Sequence, residues 1–353
     1  MLKLSLIHLD PLTKKQISRF KSIKRGYYSF IIMTLLIFLS FFAEIFINNR
    51  ALLVSYEGKL FFPTYGKILP GKTFGLDYEY ETNYRELQKK FKTEESKNFV
   101  IMPLVPYSEY ENDFKEGIYP PTAPSFNERH FLGTDTAARD IFARLVYGFR
   151  IAIIFSLILL FFDYVIGISI GCLMGYYGGW FDMLIQRIIE IWADVPFLYV
   201  VMIISSIMVP NFFSLICIMV FFGWMEITWQ FRTQTYRQKA REYIQAAKSL
   251  GASDARIIFK HIIPNSVSLI VTFIPFAVSG GIVALTSLDY LGFGLPAPTP
   301  SWGELLHQGT QNLSSGWIVT SVVTAMIIIL VMVTFIGEAI REAFDPKRHT
   351  TYE

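Results

Sequence analysis

The chain has 353 residues, of which 52% are hydrophobic and only 17% charged, with a net charge of +3. Soluble domains carry roughly a quarter charged residues, so this composition excludes an ordinary soluble protein and points to a bilayer. Cys172 and Cys217 both fall inside apolar runs, which argues against a disulfide framework, and His8, His130, His261, His307 and His349 lack metal-ligand spacing.

Residues 1–27 read as a basic cytoplasmic N-terminus, with Lys14, Lys15, Arg19, Lys21, Lys24 and Arg25 ahead of the first apolar run. That run lacks a small-residue cleavage site after it, so it reads as a retained anchor. It gives a first span from Tyr28 to Ile47, with Glu44 near the outer end. Residues 48–146 mix both charges with Phe61, Phe62, Tyr65, Phe74, Tyr78, Tyr80 and Tyr84, the composition of a small ordered cap outside the membrane. Within it, Gly66 to Thr73 matches the phosphate-loop pattern GxxxxGK[ST] letter for letter. The context argues against nucleotide. Such a loop needs a buried strand before it and a helix after it, and Thr73 leads instead into Phe-Gly-Leu-Asp-Tyr-Glu-Tyr-Glu-Thr.

Ile151 to Gly175 is a second span, interrupted only by Asp163. The apolar stretch that follows reads as one tilted helix over Phe197 to Met225 or as two, Leu184 to Val209 and Phe213 to Gln230, parted at Pro210-Asn211. Charge parity decides for two. The basic N-terminus and the basic segment Arg232 to Lys260 both belong on the cytoplasmic side, which requires an even number of spans between them. Ser266 to Thr286 and Trp317 to Gly337 complete six. A five-helix transport domain thus occupies residues 147–339, with a cytoplasmic tail at 340–353. Ionisable and polar residues within spans face a bundle interior or a cavity, so Asp163, Glu190, Asp194, Glu226 and Gln230 are candidates for lining a path or pairing inside the bundle. Arg187 shares a helical face with Glu190 and Asp194, and Pro275 with Gly280-Gly281 is a place where the fifth span could be interrupted.

The cytoplasmic loop 231–265 carries the most pointed local pattern. Helix formers run to Leu250, Gly251 is placed as a C-terminal stop, and Ser253 caps a second short helix running towards Pro264. Ala246 and Ala247 let another surface approach the backbone closely, so the loop reads either as a coupling knob or as a basic loop that holds topology.

Gln245-Ala246-Ala247, three residues, then Gly251 resembles the EAA loop of binding-protein-dependent ABC importer permeases, which docks onto an ATPase. Gln245 stands where that loop has Glu, exchanging an ion pair for a neutral hydrogen bond. Leu132-Gly-Thr-Asp-Thr-Ala-Ala-Arg-Asp140 with Arg144 and Tyr147-Gly-Phe-Arg150 resembles the LGTDxxGRD segment of the peptide-importer branch, Ala138 replacing a glycine. Gly175-Tyr-Tyr-Gly-Gly-Trp-Phe-Asp182, Glu190-Ile-Trp, Pro196, Leu291-Gly-Phe-Gly-Leu-Pro, Pro300-Ser-Trp-Gly303, Arg341 and Asp345-Pro-Lys347 are similar to further motifs of that family, in the same order. The outer segment looks most like the YejE-type branch, associated with oligopeptide and microcin C uptake.

The resemblance implies an all-α membrane protein: six transmembrane helices of the MetI-like type, with a long extracytoplasmic insertion between the first two. It implies a transport subunit without a catalytic site, metal or cofactor of its own, ATP and Mg being bound by partner ATPase subunits. The partners it implies are a second homologous permease, the ATPases, an extracytoplasmic peptide-binding protein, a peptide substrate and the lipid membrane, with no nucleic acid. Gln245, Ala246, Ala247, Leu250, Gly251 and Ala252 would contact the ATPase. The rival readings are a secondary transporter or channel, for which the sequence lacks an internal repeat, and an anchored receptor.

Overall fold

The computed structural model describes residues 11–94 and 97–344; the motif Asp345-Pro-Lys347 lies outside the described residues. In chain order the elements are α1 (Pro11–Ser22), α2 (Lys24–Phe41), α3 (Ala43–Phe46), β1 (Leu53–Tyr56), β2 (Lys59–Phe61), α4 (Tyr84–Thr93) and β3 (Phe99–Ile101). There follow α5 (Ile141–Tyr177), α6 (Gly179–Ala193), α7 (Phe197–Ile207), α8 (Phe212–Lys239), α9 (Glu242–Ser249), α10 (Asp254–Ile257), α11 (Ile263–Asn265), α12 (Val267–Tyr290), α13 (Trp302–Gln311) and α14 (Gly316–Phe344). Four helical runs, α5, α8, α12 and Leu313–Phe344, are each long and apolar enough to cross a membrane. Two bent pairs, α1 with α2 and α6 with α7, pass the same test together and allow up to six spans.

The chain divides into two compact units. The first holds residues 11–34, 154–284 and 328–344. Within it α5 packs on α8 through Gly167, Gly171 and Gly175, which face Trp224 and Ile227, Thr228 and Phe231, and Arg232 and Thr235 respectively. Three glycines four residues apart form one bare stripe, so the two backbones meet at a distance any side chain would prevent. Gly178 and Gly179, with φ of 65° and 57°, turn the chain into α6 through conformations that a Cβ disfavours. The span expected as one helix from Leu184 to Val209 is broken. α6 ends at Ala193, α7 starts at Phe197, and their axes differ by 66°. Pro196 supplies no N–H and biases Val195 away from helix, an effect the sequence reading applied to Pro210 alone. At Pro210 the separation into two helices is as expected, and Asn211 starts α8 with a capping box shared with Ser214. Pro275, in contrast, lies within a continuous α12. The irregular stretch comes earlier, as a π-helical segment at Ile258–Ile262 just before Pro264.

The second unit holds residues 35–94, 97–153 and 285–327. Its antiparallel sheet, in the order β2-β1-β3, pairs Val54 with Phe61 on one side and with Val100 on the other. α4, capped by Asn83, covers it, and Ala51, Val54, Phe74, Tyr84, Leu87, Phe91 and Val100 form a buried core. The aromatic segment thus spends Phe74 and Tyr84 on a core while Phe62, Tyr65 and Tyr80 stay exposed. Gly66 to Thr73 leads into a 3₁₀ turn, Gly71–Phe74, and Lys72 pairs with Glu79 at 2.5 Å. A phosphate loop needs a helix N-terminus at that position.

Candidate functional site

α9 exposes most of the residues expected to meet a partner. Its inner face is Ile244, fully buried, while Gln245, Ala246 and Gly251 are exposed and the Leu250 side chain is 88% exposed. Ala247 is half-buried. Ala252 turns inward and packs against the core, so it lies beneath the exposed face. The helix ends in a Schellman motif: the Ala252 N–H donates to Ala247 O and the Gly251 N–H to Lys248 O, both at 3.0 Å. That closure needs the positive φ of 81° at Gly251. Ser253 then accepts from the Arg256 N–H and starts α10. The Gln245 Nε2 donates to Lys239 O at 2.9 Å, which leaves its carbonyl oxygen for another donor.

The helical pair is tied to the spans. Ile244, Ile257, Ile258 and Ile262 form one buried cluster with Cys172 and Tyr176 of α5 and Ile227 and Phe231 of α8. The Tyr176 hydroxyl donates to Asp254 at 2.6 Å, and Lys239 Nζ donates to the Tyr176 carbonyl at 2.5 Å. Close-packed clusters of this kind transmit displacement with little loss. Sequence reasoning missed Tyr176 and Asp254; their pairing spans 78 positions and has no local signature. It also missed the glycine stripe of α5, for which the small-xxx-small pattern was available.

The five polar candidates within the spans separate. Asp163, Glu226 and Gln230 line a single cavity of about 300 Å³ among α5, α8 and α12, walled by Tyr164, Phe273 and Phe276. The Asp163 carboxyl lies directly over Gly223, where a Cβ would collide with it, and its buried Oδ1 has no hydrogen-bond partner among the described residues. Glu190 is elsewhere, held by Arg187 at 2.6 Å and by Gln186 at 3.3 Å. Asp194 is the C-cap of α6, just past its end, its N–H donating to the Glu190 carbonyl. Asp182 forms a further polar node that the sequence reading did not single out, accepting from Arg232 at 2.5 and 2.7 Å and from Tyr236 at 2.6 Å.

In the second unit, motifs distant in sequence form one buried charge network. Asp135, Arg139 and Arg144 meet Glu304; Arg139 bridges Asp135 at 2.8 Å and Glu304 at 2.7 Å, and Arg144 pairs with Glu304. Arg144 also donates to the Pro298 and Thr299 carbonyls, and the Trp302 indole donates to Leu145 O at 2.9 Å. Asp289 accepts from Ser301, which caps α13. Ala138, the residue that replaces a glycine, sits at φ 59°.

Long apolar helices, a glycine-packed pair and an exposed helical turn rooted in them are the features of a multi-pass membrane protein. The family model described as "Binding-protein-dependent transport system inner membrane component" matches residues 167–350, and the chain belongs to that family. Over 363 residues it is 37% identical to the peptidoglycan transport system permease protein YejE of Agrobacterium fabrum, covering 96% of this chain and 94% of that one. It is 38% identical to the inner membrane ABC transporter permease protein YejE of Escherichia coli over 96% of this chain and 98% of the other. It is also 34% identical to the dipeptide transport system permease protein DppC of Bacillus subtilis over 70% and 77%. The chain is therefore a permease subunit of an ATP-driven importer and a multi-pass inner-membrane protein.

Proposed function

We propose that this permease passes short peptides or peptide-like compounds inward, driven by ATPase subunits that seat the exposed face of α9. Gln245, Ala246, Leu250 and Gly251 form the contact, with Ala247 and Ala252 as its floor. The observation that carries the reading is the cluster from Ile244 to Phe231, which makes the exposed knob and the α5–α8 pair one packed body. A push on Leu250 then reaches helices that wall the cavity of Asp163, Glu226 and Gln230, which we assign to the substrate path. Microcin C-type compounds fit the same assignment through the YejE-like extent of the match.

In this reading a second, homologous permease completes the path, an extracytoplasmic binding protein delivers the peptide, and ATP with Mg stays on the ATPases. The permease itself contributes no catalytic residue. Both termini and loop 231–265 are cytoplasmic, and residues 48–146 lie outside. Gly251→Val tests the coupling, because a β-branched residue opposes the positive φ that closes α9. Peptide uptake should fall at least tenfold and co-purification of the ATPases should weaken, with membrane insertion unchanged. Wild-type uptake would refute it.

A further inference from the structure

The elbow between α1 and α2 has a use that transport alone does not explain. α2 is apolar from Tyr27 to Phe41, a run of about 22 Å that covers most of the thickness of a hydrocarbon core. α1 leaves it at 94°. A helix that turns through a right angle at the end of a span runs along the membrane surface. Its composition forbids the interior, since each Lys or Arg there costs roughly 2.5–3.5 kcal/mol. The elbow is built in: Phe20 packs edge-on against Tyr27 at 6.3 Å and Phe30 at 5.8 Å. Gly26 lies against Ala339, and Arg25 pairs with Glu338 at 3.1 Å, which fastens the base of α2 to α14.

Helical spacing sorts α1 into two faces. Thr13, Gln16, Ile17 and Phe20 share one side, with Lys14, Lys15, Ser18 and Lys21 on the rest of the circumference. No acidic residue occurs from Pro11 to Ala43. Lys14, Lys15, Lys21 and Lys24 are all exposed and form no ion pair among the described residues. A helix parallel to the surface, with Ile17 and Phe20 among uncharged residues on one side and Lys14, Lys15 and Lys21 on the other, has the chemistry of an interfacial anchor for anionic lipid.

We infer that α1 is an anionic-phospholipid docking helix: Lys14, Lys15, Lys21 and Lys24 engage headgroup phosphates while Ile17 and Phe20 dip into the acyl boundary. This goes beyond the transport reading and does not depend on the substrate or the ATPase contact.

The test uses the full chain in vesicles, with a nitroxide at Ile17→Cys in a Cys217→Ser background, Cys172 being buried. In vesicles of phosphatidylcholine with phosphatidylglycerol the label should be immobilised and oxygen-accessible, and in phosphatidylcholine alone mobile and water-exposed. Each Lys→Gln change should weaken the attachment about fivefold. The quadruple Lys→Gln variant should be mobile in both vesicles and the quadruple Lys→Arg variant should behave as the unsubstituted chain. Should the Gln variant fail to fold, loss of the label's immobilisation at high salt in the otherwise unsubstituted chain carries the same test. Equal immobilisation in phosphatidylcholine alone, equal mobility in both vesicles, or immobilisation only after ATPase subunits are added would each overturn the inference, the last by assigning the face to a protein.

Discussion

Ala138 occupies a left-handed conformation, φ 59°, in the turn between Asp135 and Arg139. An L-residue pays roughly 1–2 kcal/mol there that glycine avoids, partly offset by the extra freedom glycine has when unfolded. Ala138→Gly should therefore stabilise the second unit by about 0.5–1 kcal/mol, read as a rise in thermal midpoint; a fall would mean that the methyl packs usefully. Nearby, charged His130 donates from Nδ1 to Asp140 at 2.8 Å and from Nε2 to Asp113 at 3.3 Å, beneath a stacked Tyr107 ring. Burial opposes charging of His130, but the hydrogen bonds to Asp113 and Asp140 outweigh it and raise its pKa above 6.5. Burial likewise opposes ionisation of Asp113, yet His130, Arg85 and Lys115 hold it below 3.8. A raised histidine contributes stability that is complete below 6.5 and lost as pH rises through its folded value; the lowered carboxylate contributes above 3.8 and loses it as pH falls through its folded value. Protection of the amides around Tyr107, taken relative to their intrinsic exchange, should be greatest between those limits and fall as the pH rises through the folded value of His130, a fall that His130→Gln removes.

At the scale of elements, α5 and α8 associate because Gly167, Gly171 and Gly175 remove the side chains between them. Hydrophobic burial gives no drive for helix association in lipid, so close van der Waals approach has to supply it. Gly171→Leu, at the centre of the stripe against Thr228 and Phe231, should separate the pair. A crosslink between cysteines on α5 and α8 should then fail, and the protein should lose its thermal transition. An unaffected crosslink would show that other contacts hold the pair. The same region explains what was legible. Apolar runs named the spans, and Gly251 and Ser253 named the ends of α9 and α10, because caps and stops act on neighbouring residues. The 66° break at Asp194 to Pro196 was not read, although Pro196 was in plain view, because an apolar run of span length masks a single proline.

For the whole molecule, the decisive question is what the cavity carries. If Asp163 and Glu226 line the substrate path, the pair Asp163→Asn and Glu226→Gln should lower peptide uptake severalfold while ATPase co-purification stays intact; unchanged uptake would return both residues to a structural role. Composition, hydropathy and charge placement by themselves determined that the chain is a membrane protein, that up to six spans are allowed, and where α9 ends and α10 begins. Each of those depends on water, lipid or the nearest few residues. Tertiary structure alone decided that Asp163, Glu226 and Gln230 share a cavity while Glu190 and Asp194 do not. It alone joined Arg139 and Arg144 to Glu304, and Tyr176 to Asp254. Those partners are separated by 78 to 165 positions. No local periodicity carries such pairings; they exist only once close packing brings the helices side by side.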